Sequence, residues 1–350
     1  MIVCYFGIYK KDYTRNNIFI NGLTQNGIKV IECQSSKKGL KKYFDLFIKH
    51  WKIRKKYDIL IVGFPGQSVV WLAKLISNKK IIFDAFLSFY DSMIFDRKTH
   101  KSKSLMAMRY WLLDWISIKL ANIILLDTQQ HVDYFVKTFK VKTDKCRRIF
   151  VGANDQIFKP LIKIKHSNKK IIHFHGNFIP LQGIKYIIKA ADILRDDNYC
   201  FRIIGQGQEF KMIKDLVNQL DLQNNISFID PVSLQELPQL IADSDLCLGI
   251  FGDTNKTQRV IPNKVYEYLA CAKPIITAET PAMKELFDAR AGVIFCRAAD
   301  ASDLAKKIRE AFLDIDLLNS IAADGHEVFK RKVLPQKLVQ QLIKILEEVK

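Results

Sequence analysis

The sequence predicts an α/β protein built from two Rossmann-like domains, each a parallel sheet flanked by helices, with a cleft between them. Three observations predict it. Short apolar runs of strand length alternate with helical segments from the first residue onward. The alternation is interrupted by a polar, lysine-rich stretch and restarts at residue 170. The chain has 350 residues, long for one domain and comfortable for two. These place the first domain at residues 1–165, the second at 166–330 and a last helix at 331–350 that could cross back to the first.

In the first half, residues 2–6 read as a buried strand, 16–26 as a helix closed by Gly27, and 29–33 as the second strand. Gly7, Arg15 and Asn16 would then lie at the carboxyl end of strand one, on the ligand side of such a sheet. No G-x-G-x-x-G follows that strand, which argues against a dinucleotide cofactor. Further strands are expected at 57–63, 80–84, 121–127 and 146–151, with helices at 68–76 and 105–120 between them. Asp84 and Asp91 sit at or just past a strand end, where a carboxylate could orient or deprotonate an acceptor hydroxyl. Capping is the simpler role for either.

Residues 35–56 combine an apolar stripe (Leu40, Tyr43, Phe44, Phe47, Ile48, Trp51 and Ile53) with nine Lys and Arg. That pattern fits a helix lying on an anionic membrane surface, or a helix docked on the sheet with a solvated basic face. The charge of the whole chain is asymmetric. Residues 1–165 hold 31 Lys and Arg against 12 Asp and Glu, whereas residues 166–350 hold 24 of each. A basic half beside a neutral half points to an anionic partner for the first: a membrane surface or a polyanionic acceptor. No nucleic-acid-binding module is recognisable.

Hydrophobic residues make up 49% of the chain, so a large core is available, and no apolar run is long enough to span a bilayer. The N-terminus lacks a basic stretch before its apolar residues and reads as a strand rather than a signal peptide. Seven scattered cysteines, without C-x-x-C or zinc spacing, suggest buried thiols in a reducing cytoplasm.

Residues 259–277 carry the most chemistry. The apolar run 245–251 reads as a buried strand, broken by Gly252, Asp253, Thr254 and Asn255. Pro262-Asn263 reads as a helix start with Asn263 as N-cap, and Val265, Leu269 and Ala272 give the helix an apolar face. Lys273-Pro274 ends it before a strand at 275–277. Lys256, Arg259 and Lys264 surround that helix start, which favours an anion, and Glu267 is within reach of whatever the anion is attached to. His173 and His175 alternate on one strand, so His175 could face the cleft; core histidines are the simpler reading, with no partners at metal-ligand spacing.

The segment IPNKVYEYLACAKPII resembles the nucleotide-sugar-binding segment of the retaining glycosyltransferases of family 4, in its P-x-K-x-x-E-Y-x-A-x-x-K-P variant. Residues 149–160 resemble the family's interdomain signature at Gly152, Asp155, Phe158 and Pro160, with the usual Asn replaced by Ala153 or displaced to Asn154. Gly205 and Gly207 match a strand followed by G-x-G, and residues 237–243 (LPQLIAD) resemble L-x-x-x-A-D with one extra residue. The segment from His175 departs from the pattern. Asn177 and Gln182 stand where the family places the Arg and Lys that grip the donor diphosphate, and Arg259 stands where most relatives have the first Glu of E-x7-E. The two departures could be one coupled change, with charge moved from one loop to the other.

The resemblance covers nearly all of residues 149–350 and only the layout of the remainder. It implies the two-domain GT-B fold, a UDP- or GDP-linked sugar as donor, retention at the anomeric carbon, and no cofactor or required metal. Donor contacts would come from Gly176, Asn177, Gln182, Gly205, Lys256, Arg259, Asn263, Lys264 and Glu267. Glu267, Asp84 and Asp91 are the catalytic candidates. The basic first domain would receive a saccharide or lipid-linked acceptor, in cell-envelope polysaccharide or glycolipid synthesis at the cytoplasmic face of the membrane. Two alternatives accompany this reading: a sugar-nucleotide epimerase of the same fold, and an inactive scaffold that binds membrane or polyanion.

Overall fold

The computed structural model describes residues 1–164, 168–287 and 291–350. It divides into two compact units, Met1–Gly152 with Pro335–Lys350, and Ala153–Leu334. The division falls at 152/153, before the lysine-rich stretch expected to carry it at 165/166, because Ala153 and Phe158 are already buried.

The first unit runs β1 (Ile2–Gly7), α1 (Thr14–Gln25), β2 (Lys29–Gln34), α2 (Lys41–Trp51), β3 (Ile59–Val62), α3 (Val70–Ile76) and β4 (Lys80–Phe86). A π-helical segment, Asp91–Asp96, leads to α4 (Leu105–Leu120), β5 (Ile123–Leu126), α5 (Gln129–Phe139) and β6 (Cys146–Arg148). The six strands are all parallel, in the order β2-β1-β3-β4-β5-β6. The inner strands β3 and β5 are short apolar runs buried at every residue, as strands covered on both faces must be. Ser104 and Thr128 start α4 and α5 by accepting the amides of Ala107 and His131.

The second unit runs β7 (Lys170–His175), α6 (Ile184–Ile193), β8 (Tyr199–Ile204), α7 (Phe210–Gln219), β9 (Ile226–Ile229), α8 (Leu237–Ala242) and β10 (Leu246–Leu248). It continues with α9 (Asn263–Ala270), β11 (Ile275–Ala278), α10 (Pro281–Leu286), β12 (Ile294–Cys296), α11 (Ala301–Leu313) and α12 (Ile315–Val328). Its strands are also parallel, in the order β12-β11-β10-β7-β8-β9. The last helix, α13 (Pro335–Val349), packs on α1 in the first unit. Gly22 makes this approach possible, since a Cβ there would lie 2.2 Å from Val339 Cγ2. All seven cysteines are free thiols.

Some local expectations are corrected. The strand expected over 245–251 is confined to Leu246–Leu248. Beyond it the chain turns along the Thr277 side chain, whose Oγ1 accepts the Ile250 amide at 3.2 Å. Asn263 is the first helical residue, and the capping position belongs to Pro262, which has no side-chain acceptor. Ala272 lies outside α9 in a left-handed turn (φ 52°), so the apolar face stops at Leu269.

The helix predicted from residues 35–56 forms as α2, but its apolar residues are divided: Leu46, Tyr43 and Ile53 pack on the core, and the rest do not turn inward. Only Leu46 and His50 are buried. Leu40 (82% exposed), Phe44 (70%) and Trp51 (57%) face solvent, and Trp71 and Leu75 of α3 are exposed as well. Among the described residues no helix is long and apolar enough to cross a membrane.

Candidate active site

The residues expected to face a ligand in the first unit are instead committed to its scaffold. Arg15 is fully buried and its Nε donates to both oxygens of Asp84, at 2.8 and 2.9 Å. Its Nη1 donates to the carbonyls of Ile149 (2.8 Å) and Phe150 (3.3 Å), tying α1 and β4 to the chain after β6. Asn16 accepts the Tyr5 hydroxyl at 2.9 Å and donates to the Lys10 and Phe64 carbonyls at 3.0 and 2.7 Å. Asp84 therefore neutralises a cation inside the core, and neither it nor Arg15 can reach a ligand without leaving the other as an unpaired buried charge. Asp84, expected as an acceptor base, and Arg15 and Asn16, expected as ligand contacts, are thus placed inside the first unit with these partners. Asp91 opens the π-helical segment and is also fully buried, its amide held by Ser88 Oγ at 3.0 Å. Gly7 ends β1.

The second unit brings most of its expected residues together. Gly176 follows β7 with φ 148°, Gln182 ends a short 3-10 turn, Gly205 follows β8, and Lys264 is the second residue of α9. These pieces meet at close range. Lys264 Nζ donates to Gln182 Oε1 at 2.6 Å and lies 3.4 Å from the centroid of the Phe174 ring. A Cβ on Gly176 would fall 3.0 Å from that Nζ, and a Cβ on Gly205 would fall 2.1 Å from the Gly176 carbonyl oxygen. Glycine is required at both positions, because the loops touch there and the backbone is in a conformation that side chains avoid.

Burial decides the electrostatics. Lys264 is 4% exposed, and its removal from water pushes the ammonium pKa well below the usual lysine range. The Phe174 ring face and the Gln182 amide oxygen offset part of this. Such a cation gains most from an incoming anion, since the partner restores its charged form inside a low dielectric. Pro262 caps α9 without a side-chain acceptor, which leaves a helix start that favours an anion.

Lys256 is 5% exposed rather than solvated, in a turn where the Thr254 and Thr257 hydroxyls bond at 3.0 Å. Arg259 is half-buried and Asn177 is exposed. Glu267 is the fifth residue of α9 and 6% exposed. Its Oε2 lies 2.7 Å from His175 Nε2, and His175 Nδ1 lies 3.0 Å from His173 Nε2. His173 Nδ1 in turn accepts from Arg202 Nε at 3.3 Å. The histidines were expected mainly as core residues, with His175 able to face the cleft, and Arg202 was not singled out. Two signals pointed to them: H-x-H puts both rings on one face of β7, and Arg202 interrupts an apolar strand directly opposite His173.

Comparison with known proteins agrees with this architecture. The chain belongs to the family of Glycosyl transferases group 1, which matches residues 154–328, half of the chain and nearly all of the second unit. The putative colanic acid biosynthesis glycosyl transferase WcaI of Escherichia coli K12 is 32% identical over 174 residues, 48% of this chain and 42% of that protein. An uncharacterized glycosyltransferase of Methanocaldococcus jannaschii is 24% identical over 62% of this chain and 63% of its own length. The chain thus matches less than two thirds of the length of either relative. Among solved structures, Anabaena HepE in complex with UDP superposes with a TM-score of 0.74 at 15% identity, covering 99% of both chains. That likeness establishes the two-sheet GT-B fold.

Proposed function

We propose that this chain is a glycosyltransferase that moves a sugar from a nucleotide-diphosphate sugar to an acceptor hydroxyl, with retention at the anomeric carbon and without a required metal. The observation that carries the reading is the contact of Lys264 with Gln182 beside Gly176. In the family 4 pattern a lysine stands at position 182; here α9 supplies the ammonium to the same corner. The inactive-scaffold alternative drew on the neutral Asn177 and Gln182, and Lys264 answers it by offering charge where that pair lacks it. The bond from the anomeric carbon to the diphosphate breaks with its electron pair leaving on phosphate, while the acceptor oxygen bonds to that carbon and gives up its hydroxyl proton to the departing phosphate oxygen. A cation already placed at the departing oxygen lowers the barrier without reorganisation. Glu267 would accept hydrogen bonds from donor hydroxyls. A UDP-linked donor is favoured over GDP, because HepE is solved with UDP and with UDP-glucose.

The acceptor side is the basic first unit. The exposed Leu40, Phe44 and Trp51 on a helix rich in lysine support a peripheral position on an anionic membrane and a lipid-linked or envelope saccharide as acceptor. A thermal-shift comparison of UDP, GDP and their glucose conjugates tests the donor reading. Stabilisation by UDP or UDP-glucose is expected. No shift with any nucleotide diphosphate would contradict it.

A further inference from the structure

The buried row Arg202, His173, His175 and Glu267 has a direction that chemistry dictates. A guanidinium only donates, so His173 Nδ1 must be the acceptor of the Arg202 Nε bond at 3.3 Å. A neutral His173 then carries its proton on Nε2 and donates it to His175 Nδ1 across 3.0 Å. His175 in turn carries its proton on Nε2 and donates to Glu267 Oε2 at 2.7 Å. Each ring's tautomer is set by its neighbour on the Arg202 side, and the row ends on a carboxylate, which only accepts.

The surroundings keep the rings neutral. His173 is fully buried and His175 is 8% exposed, and burial is the main cause that holds both below the ordinary histidine pKa. Arg202 from β8, Lys264 from α9 and Lys273 after α9 face the pair and disfavour a further positive charge, while Glu267 opposes them. The Tyr268 ring packs edge-on against both imidazoles, at 5.8 and 5.1 Å, and Cys247 of β10 lies in register with His173.

We propose that Arg202, His173 and His175 are positioning residues that pin Glu267 Oε2 as a hydrogen-bond acceptor, so that its carboxylate meets the hydroxyl groups of the nucleotide-sugar donor in one orientation. This rests on the donor site proposed above. The device selects a ligand that donates hydrogen bonds, because the carboxylate accepts and the imidazole behind it is already spent as a donor. A proton added to His175 would sit on Nδ1 and face the Nε2–H of His173, so acid breaks the row between the two rings.

The test uses the full chain labelled with 15N-histidine, with UDP and UDP-glucose as probes. Imidazole nitrogen shifts at pH 7 should report both rings neutral and protonated on Nε2. His175→Phe should weaken UDP-glucose binding about tenfold, the equivalent of one charge-assisted hydrogen bond. His175→Gln, which keeps a donor near Oε2, should restore most of it. Arg202→Met should release the tautomers and shift the pH at which UDP-glucose affinity falls, an effect that loss of packing alone would not produce. An Nδ1–H tautomer or an imidazolium in the parent protein would overturn the proposal, whether or not the variants fold. So would folded His175→Phe binding with parental affinity and pH profile. Parental protein that binds neither probe would instead strike the donor site, since the tautomers are read without ligand.

Discussion

Lys264 Nζ and Gln182 Oε1 lie 2.6 Å apart, joining the start of α9 to the turn after β7. An ammonium buried against one amide oxygen and one aromatic face is a poor stabilising element, and this arrangement becomes favourable when an anion arrives. Lys264→Met should therefore leave the melting temperature unchanged or raise it, while UDP affinity falls at least tenfold. Thermal unfolding and calorimetric titration of the same preparations check both halves.

The depressed pKa of Lys264 gives a proton count. Binding of a diphosphate favours the ammonium, so UDP binding at a pH between the lowered value and the ordinary lysine range should be accompanied by proton uptake, read from calorimetry in buffers of different ionisation enthalpy. The same shift sets a sign for stability. Between the lowered folded pKa and the unfolded value near 10.5, the unfolded chain binds the extra proton, so this lysine's contribution makes stability rise with pH across that window. Lys264→Met should remove both effects. Parental binding with no buffer dependence would argue that the ammonium is already charged in the empty site.

Arg15 and Asp84 give a contrasting prediction in the first unit. Both side chains are fully buried and paired at 2.8 Å. Arg15→Ala or Asp84→Ala should each lower stability by about 3–5 kcal/mol in urea unfolding, because either leaves a lone buried charge. Arg15→Met combined with Asp84→Leu should recover much of that loss. A folded Asp84→Ala protein that lost transfer activity without losing stability would restore Asp84 as a catalytic candidate.

Gly205→Ala tests the close approach of the two loops. The added Cβ would lie 2.1 Å from the Gly176 carbonyl at a φ of 134°, so the loop after β8 must move. UDP binding should be lost even if the fold survives, as judged by circular dichroism beside titration.

The exposed face of α2 predicts membrane association. The parent chain should float with anionic liposomes at low salt and less so at high salt. Phe44→Ser combined with Trp51→Ser should abolish flotation without lowering stability, since Phe44 is 70% and Trp51 57% exposed.

The alternation of strands and helices was legible because parallel strands such as β3 and β5 are unbroken apolar runs between turn residues. Lys264 and Glu267 were legible for the same local reason: a proline, a helix and a cation at fixed spacing. What local pattern could not carry was partnership across the fold. Asp84 at a strand end looks the same in sequence whether it faces a ligand or Arg15, 69 residues away. The Glu267–His175 bond joins residues 92 apart, and the link to Arg202 depends on the register of β7 with β8. Solvent-facing and sheet-facing apolar stripes are also alike in sequence, and only burial, of Leu46 and His50, tells them apart in α2.

The central claim, that the Lys264 corner receives a nucleotide diphosphate, is tested most directly by titrating UDP into the parent chain and into Lys264→Met at pH 7. The account predicts saturable binding by the parent and affinity at least tenfold weaker in the variant. Equal affinity in the two, with both folded, would contradict it.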